Sequence, residues 1–268
     1  MKNIEVKSNV LLNSRKNTLD NKGVLEQNKK FWNNTADKWF GVTALPKLGC
    51  LIPTEDDLHL FGDVSGKKVL EIGCGSGHSL KYLGDLNAAE LCGLDMSTQQ
   101  LENAARYLKD CGYKAHLFNN PMEEKTGLPE DYFDIVYSIY AIGWTTDLQK
   151  TFNLIASYLK KGGIFIFSWD HPVMRCMEIQ EDNLVVKSSY YDENLVTFEK
   201  YSFEVSLSKR KISTYMNALS KAGLFIEEMI EETDKQTLES ESKVEQKYYS
   251  AFNAKMFPMS FVIKARKL

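Results

Sequence analysis

One segment constrains this chain more than any other. In Val69-Leu70-Glu71-Ile72-Gly73-Cys74-Gly75-Ser76-Gly77, an apolar run of strand character ends in glycines at every second position. Only glycine lets the backbone turn this tightly and admits a ligand to the main chain, because any Cβ would occupy the ligand's place. The helix expected to start near His78 or Ser79 presents unpaired N–H groups and a positive dipole end to an anionic or carboxylate-bearing ligand. Together these features make a nucleotide-like cofactor site at the carboxyl edge of a parallel sheet. Asp95 closes the next strand about twenty residues later, where an acid in such folds bonds ribose hydroxyls. Its other reading is a cap on the helix beginning near Ser97. The spacing is G-x-G-x-G behind the acid Glu71, not the G-x-G-x-x-G of dinucleotide dehydrogenases, which disfavours a nicotinamide cofactor.

Around this loop, strand-like and helix-like runs alternate up to Trp169. The expected strands are Val69 to Ile72, Glu90 to Leu94, Lys114 to Phe118, Phe133 to Ser138 and Gly163 to Trp169. Between them lie helical runs at Ser79 to Leu86, Thr98 to Cys111 and Leu148 to Lys160, the last closed by Lys161-Gly162-Gly163 as a helix stop. A parallel sheet with crossover helices requires this alternation. After Asp170 the rhythm breaks, and residues 172–208 read as an insertion of irregular strands expected to cover a substrate. A helix from Lys211 to Ala222, a strand near Leu224 to Ile230, a charged connection to Lys247 and a strand from Met259 to Ala265 complete the chain. At the other end, residues 1–25 read as a flexible polar tail. Phe31, Trp32, Ala36, Trp39 and Phe40 predict an amphipathic helix over Glu26 to Phe40, within a helical lid spanning 26–62.

Composition narrows the partners. The 33 Lys plus Arg against 36 Asp plus Glu leave a formal charge of -3, so no broad positive field gathers phosphates and nucleic acid is not the expected substrate. The five cysteines are scattered and never form C-x-x-C, which argues against a disulfide framework or a thiolate zinc site and for free thiols in a reducing cytoplasm. No signal-like apolar region opens the sequence, and no run approaches the roughly 18 apolar residues that a membrane span needs. We therefore expect no membrane partner and no metal; the oligomeric state stays open.

With its acid and alternating glycines after the first strand, the chain resembles the class I S-adenosylmethionine-dependent methyltransferases, in particular the small-molecule enzymes of ubiquinone and menaquinone biosynthesis. The resemblance implies an α/β fold: a Rossmann-like, seven-stranded, mostly parallel sheet with helices on both faces, the last strand antiparallel and an insertion after strand five. The whole of 26–268 is then one methyltransferase domain. It also implies S-adenosyl-L-methionine as cofactor, with Glu71, Gly73, Cys74, Gly75 and Gly77 against its methionine moiety and Asp95 on its ribose. Met96 and Met122 then pack on the adenine. Asn120 stands where the family usually has an acid, and its side-chain oxygen is expected to accept the same hydrogen bond. Ser138 and Ile139, at the end of the fourth strand, are expected along the cofactor.

Methyl transfer from a sulfonium is an in-line displacement, served chiefly by orientation and by a wall that excludes water. Trp32, Trp39, Tyr140 and Trp144 are candidates for that wall, Trp39 also as a cofactor contact. Tyr140 and Trp144 are candidate substrate contacts, or alternatively core aromatics, and Tyr191 is a third contact from the insertion. If the nucleophile must lose a proton, His171 at the end of the fifth strand is the candidate base and a substrate contact. Its other reading is a loop histidine that hydrogen-bonds the backbone before Pro172. The expected function is methylation of an oxygen, nitrogen or carbon of a small metabolite; the alternative is a cofactor-binding module without catalysis.

Overall fold

A computed structural model describes residues 15–16, 19–180, 183–245 and 247–268. In chain order the strands are β1 (Arg15–Lys16), β2 (Lys68–Ile72), β3 (Glu90–Asp95), β4 (His116–Asn119), β5 (Phe133–Ile139), β6 (Leu159–Asp170), β7 (Met177–Gln180), β8 (Asn183–Val186), β9 (Leu195–Lys200), β10 (Phe203–Ser208), β11 (Leu224–Ile230) and β12 (Ser260–Lys267). The helices are α1 (Asn21–Thr35), α2 (Glu55–Leu58), α3 (His78–Asp85), α4 (Thr98–Asp110), α5 (Leu148–Tyr158), α6 (Ile212–Lys221), α7 (Lys235–Glu239) and α8 (Ala251–Met256).

The central sheet has seven strands in the order β11-β12-β6-β5-β2-β3-β4. β2 pairs in parallel with both β3 and β5, while β12 runs antiparallel between β6 and β11. This is the mostly parallel sheet that the alternation implied, with the antiparallel last strand that the family resemblance implied. The chain leaves β2 toward β3 and β4, then crosses back to β5 on the other side of β2. That reversal opens a crevice at the carboxyl ends of β2 and β5, where open α/β sheets bind ligands.

Alternation along each strand feeds two cores. Phe165 and Phe167 of β6 face α5 and α6, packing with Phe152 and Tyr215, while Ile164 and Ile166 face the opposite layer with Leu80, Leu83, Leu101 and Leu108 of α3 and α4. Each such side chain removed from water contributes about 1.5–3 kcal/mol, so the sheet register is firmly set.

Several boundaries differ from expectation. Helix α1 starts at Asn21, inside the stretch read as tail, because Asp20 caps it by accepting from Gly23 N at 2.8 Å. It ends at Thr35, and a 3-10 turn over Ala36–Trp39 follows. The tail expectation otherwise falls largely on residues outside those described, although Arg15 and Lys16 pair with Thr197 and Val196 of β9. Lys161-Gly162-Gly163 is not a helix stop: α5 ends at Tyr158, Leu159 already pairs with Phe133, and Gly162 at φ +78° forms an irregularity inside β6. Within the insertion, Leu195 to Val205 is not one strand but a hairpin, turned at Tyr201 and Ser202 with φ of 54° and 64°. Neither residue type signals such a turn. Among the described residues no helix is long and apolar enough to cross a membrane.

Candidate functional site

The loop after β2 is shaped from beneath. Gly73 N and Cys74 N both donate to Leu94 O, at 2.7 and 3.0 Å, which folds the turn over the end of β3. Its three glycines meet different surroundings. A Cβ on Gly73 would stand 2.3 Å from Cβ of Ala141, so this position is bare because β5's exit packs on it. A Cβ on Gly77 would press on Leu108 and Ala104, making that position a close helix–helix approach. A Cβ on Gly75, at φ +48°, would meet only Gln100 Oε1 at 3.8 Å. Gly75 is thus the glycine that leaves open space.

That space is a cleft of about 840 Å³, partly open to solvent, within the range of small-molecule and cofactor sites. Gly73, Cys74, Gly75, Asp95, Met96, Asn120, Met122, Ile139, Tyr140, Trp144 and Trp39 all line it. Asp95 ends β3 with both oxygens engaged: Oδ2 accepts from Gly75 N at 2.9 Å and Oδ1 from Ser97 N at 2.8 Å. Burial raises its pKa to about 6, against the lowering pull of those two N–H groups. Asn119 donates to the carbonyls of Asp95 and Met96, at 3.0 Å each, and fixes the turn from which Asn120 reaches the cleft.

Five residues named from sequence stand outside the lining. Glu71 is buried beneath the loop, where Tyr137 Oη donates to it at 3.3 Å; burial pushes its pKa well above the usual carboxylate range. Ser138 is fully buried and donates to Ile72 O at 2.8 Å, tying β5 to β2. Gly77 packs against α4, as above. Tyr191 is 81% exposed, its ring against Tyr190, whose hydroxyl accepts from Ile212 N. His171 is buried, and both ring nitrogens are taken: Nδ1 accepts from Val173 N at 3.3 Å, so Nε2 carries the proton and pairs with Glu231 Oε1 at 2.6 Å. In this geometry neither ring nitrogen keeps a free lone pair, and burial lowers the His171 pKa.

Gln100 was not singled out from sequence, although Ser97-Thr98-Gln99-Gln100 carries its signal. The pattern is that of a capping box, in which the fourth residue would reach back to the backbone of the first. Half of it forms, with Ser97 Oγ accepting from Gln100 N at 3.2 Å. Asp95 already occupies Ser97 N, so Gln100 Oε1 is left buried in the cleft wall without a partner. Trp39 Nε1 is likewise buried and unpartnered. A buried acceptor and a buried donor facing one cleft imply a polar ligand that satisfies both.

Aromatic side chains close the other end. Trp32 meets Trp39 and Trp144 edge-on, with ring centroids 5.7 and 5.2 Å apart, and Trp144 meets Trp169 at 5.7 Å. Tyr140, at φ 53°, has its hydroxyl against Ser260 Oγ and accepts from Cys50 N at 3.4 Å. Burial holds the Tyr140 phenol far above its ordinary pKa, so it stays protonated. Helix α1 and the β9–β10 hairpin form a cap at this end. The buried Asn28 amide acts as a strand edge, donating to Ser206 O and accepting from Ser206 N at 2.8 Å each. The same helix reaches α4, where Asn33 Oδ1 accepts from Ser97 Oγ at 2.8 Å.

A parallel sheet with its cleft at the strand reversal, a bare glycine turn and an acid on the neighbouring strand defines a Rossmann-like cofactor-binding domain. More narrowly, residues 70–167 match the family described as methyltransferase domain. An uncharacterised protein of Haemophilus influenzae is 34% identical over 122 residues, which cover 44% of this chain and 48% of that protein. Sterol 24-C-methyltransferase erg6 of Aspergillus fumigatus is 29% identical over 159 residues, 55% of this chain and 42% of its own length. The ubiquinone biosynthesis O-methyltransferase of a Shewanella species is 29% identical over 107 residues, covering 40% and 45%. The matched segments thus span less than half the length of these curated relatives. Among solved structures, a putative S-adenosylmethionine-dependent methyltransferase of Listeria monocytogenes superposes with TM-score 0.64 at 23% identity, covering 80% of this chain and 97% of its own. One from Mesorhizobium loti gives 0.62 at 22%, covering 79% and 96%. At these identities the likeness is one of fold, and the fold is that of the S-adenosylmethionine-dependent methyltransferases.

Proposed function

We propose that the protein transfers a methyl group from S-adenosylmethionine to a nucleophile on a small molecule, in the cytoplasm. The observation that carries this reading is the convergence of the open position at Gly75, the Asp95 carboxylate and the unpartnered Gln100 Oε1 on one cleft. The residues fit the cofactor's chemistry. Asp95 would accept the ribose hydroxyls, Met96 and Met122 would flank the base beside Asn120, and the Gly73–Gly75 turn would border the methionine moiety. When bound, S-adenosylmethionine supplies an electrophilic methyl group on a sulfonium.

The chain's own contribution is orientation and the exclusion of water. Trp32, Trp39, Tyr140 and Trp144 enclose the end of the cleft, and holding two reactants in line there contributes on the order of 7–11 kcal/mol to lowering the barrier. Tyr140 serves as a fixed hydroxyl, since its phenol does not ionise near neutral pH. The test is calorimetric titration with S-adenosylhomocysteine, followed by a radiolabelled methyl-transfer assay over a panel of small acceptors. Absence of binding would overturn the reading. Binding without transfer to any acceptor would move the chain to the alternative, a cofactor-binding module.

A further inference from the structure

Lys200, the last residue of β9, is a cation without a counter-charge. Its Nζ lies 4.4 Å from the centroid of the Trp39 ring and 5.7 Å from that of Tyr201, and Trp39 lines the cleft. Among the described residues no carboxylate lies within ion-pair distance of it, and none of its three N–H donors has an acceptor. The acid whose charge reaches it is Asp170, but Asp170 is already committed. Arg175 Nη2 holds its Oδ2 at 2.5 Å and the Tyr249 hydroxyl its Oδ1 at 2.5 Å. Buried and half-buried charges are ordinarily paired. An ammonium resting on aromatic faces alone gains only a fraction of what a paired one does.

Lys200 adjoins the cleft through Trp39, just outside the residues that line it. Its charge acts on Cys50, whose backbone N–H donates to the Tyr140 hydroxyl. Lys38 Nζ lies 5.0 Å from the Tyr201 ring, so cations reach that tyrosine from both the 3-10 turn after α1 and β9. With Arg175 cancelling Asp170, the local balance is positive in a chain whose overall charge is -3. Burial lowers the Lys200 pKa, and an incoming anion would restore it.

We propose that the acceptor carries an anionic group, a carboxylate or a phosphate, on an apolar body, and that Lys200 binds this group while the aromatic wall holds the body. The inference rests on the proposed methyl-transfer function. Matched probes test it: 4-hydroxybenzoate, 4-hydroxybenzamide and phenyl phosphate, each titrated by tryptophan fluorescence with and without S-adenosylhomocysteine. The anions are expected to bind about tenfold more tightly than the amide, the size of one charge-assisted hydrogen bond. Lys200→Met should erase that preference, Lys200→Arg should retain it, and both should keep wild-type affinity for S-adenosylhomocysteine. Preference for benzoate or for phenyl phosphate identifies the group. Equal binding of amide and anions by the wild type, no binding of either anion, or an unchanged preference in Lys200→Met would overturn the proposal. Failure to bind S-adenosylhomocysteine would strike the cofactor reading instead, because the anion titration is also run without it.

Discussion

The loop side of the cleft and the cap over its other end hold their polar groups in different ways. At the carboxyl ends of β2 and β3 the fixing partners are mostly main-chain atoms: Gly73 N and Cys74 N on Leu94 O, Gly75 N and Ser97 N on Asp95. In the cap every clamp is made by a side chain, with the Asn28 amide on the Ser206 main chain, the Asn33 amide on Ser97, and indoles against one another. Main-chain geometry is set by the sheet and changes little with sequence. Side-chain clamps can be rebuilt by substitution. The first region therefore suits a constant ligand, the cofactor, and the second a ligand that differs from one protein to the next.

The sharpest way to break this contrast is within the glycine loop itself. Gly75→Val puts a branched side chain into open cleft, so S-adenosylhomocysteine affinity should fall at least about a hundredfold, or about 2.7 kcal/mol. Folding should suffer only the roughly 1–2 kcal/mol of a left-handed non-glycine residue. Gly73→Ala should do the reverse. Its Cβ meets Ala141 at 2.3 Å, so strain and overpacking should cost about 2–5 kcal/mol, read as a lower melting temperature. If both variants lost stability equally and bound ligand equally, the division of labour between the two glycines would be wrong.

Next in size is Asp95→Asn, expected to weaken S-adenosylhomocysteine binding by roughly 1–3 kcal/mol through loss of the charge in its hydrogen bonds. The wild type should also show a pH signature. Its Asp95 pKa is raised to about 6, and the carboxylate is the form that accepts ribose hydroxyls. Affinity should therefore be flat above about pH 7 and fall toward tenfold per unit below pH 6, while Asp95→Asn stays flat through that window. Calorimetry from pH 5 to 8 would read both, and a flat wild-type profile would remove Asp95 from the ligand.

The same contrast explains what was legible in the sequence. Strands from Val69 to Trp169 were readable because short apolar runs, buried on both faces and bounded by glycine turns, are local signals, and the Asp95 position followed from the loop. The hairpin turn at Tyr201-Ser202 was not, since the Gly, Asn or Asp that positive φ at both positions favours is absent, while Phe198 and Val205 of the hairpin pack with Phe31. Gln100 was half-legible: its capping-box signal is present, yet only the structure reveals that Asp95 displaces it. Lys200 carries no local signal at all, because its significance lies in which charges are missing around it.

A smaller effect probes the cap. Asn28→Ala would remove two buried hydrogen bonds to the Ser206 main chain, at a cost of about 1–3 kcal/mol. Hydrogen exchange should speed up at Ser206 and along α1 while amides of β2 and β5 keep their protection. Acceptor KM should rise more than the cofactor's Kd, as expected if the cap serves the acceptor. Equal changes in both would merge the two regions into one cooperative unit.

The smallest effect is expected at His171. A general base needs a free lone pair directed at the reacting atom. Here Val173 N uses the Nδ1 lone pair, and the Nε2 proton is held by Glu231. Burial also lowers the pKa, so the imidazole is neutral at pH 7 and has no protonation change to contribute above that pH. His171→Gln keeps an acceptor and a donor on a chain of similar reach, so it should cost at most about 1 kcal/mol of stability and leave kcat within about fivefold of the wild type. Its kcat–pH profile should overlay the wild-type curve. A fall in kcat of a thousandfold, or loss of an ionisation near pH 6 from that profile, would mean that β6's end swings toward the cleft during turnover, and the fixed and adaptable regions would then share a moving part.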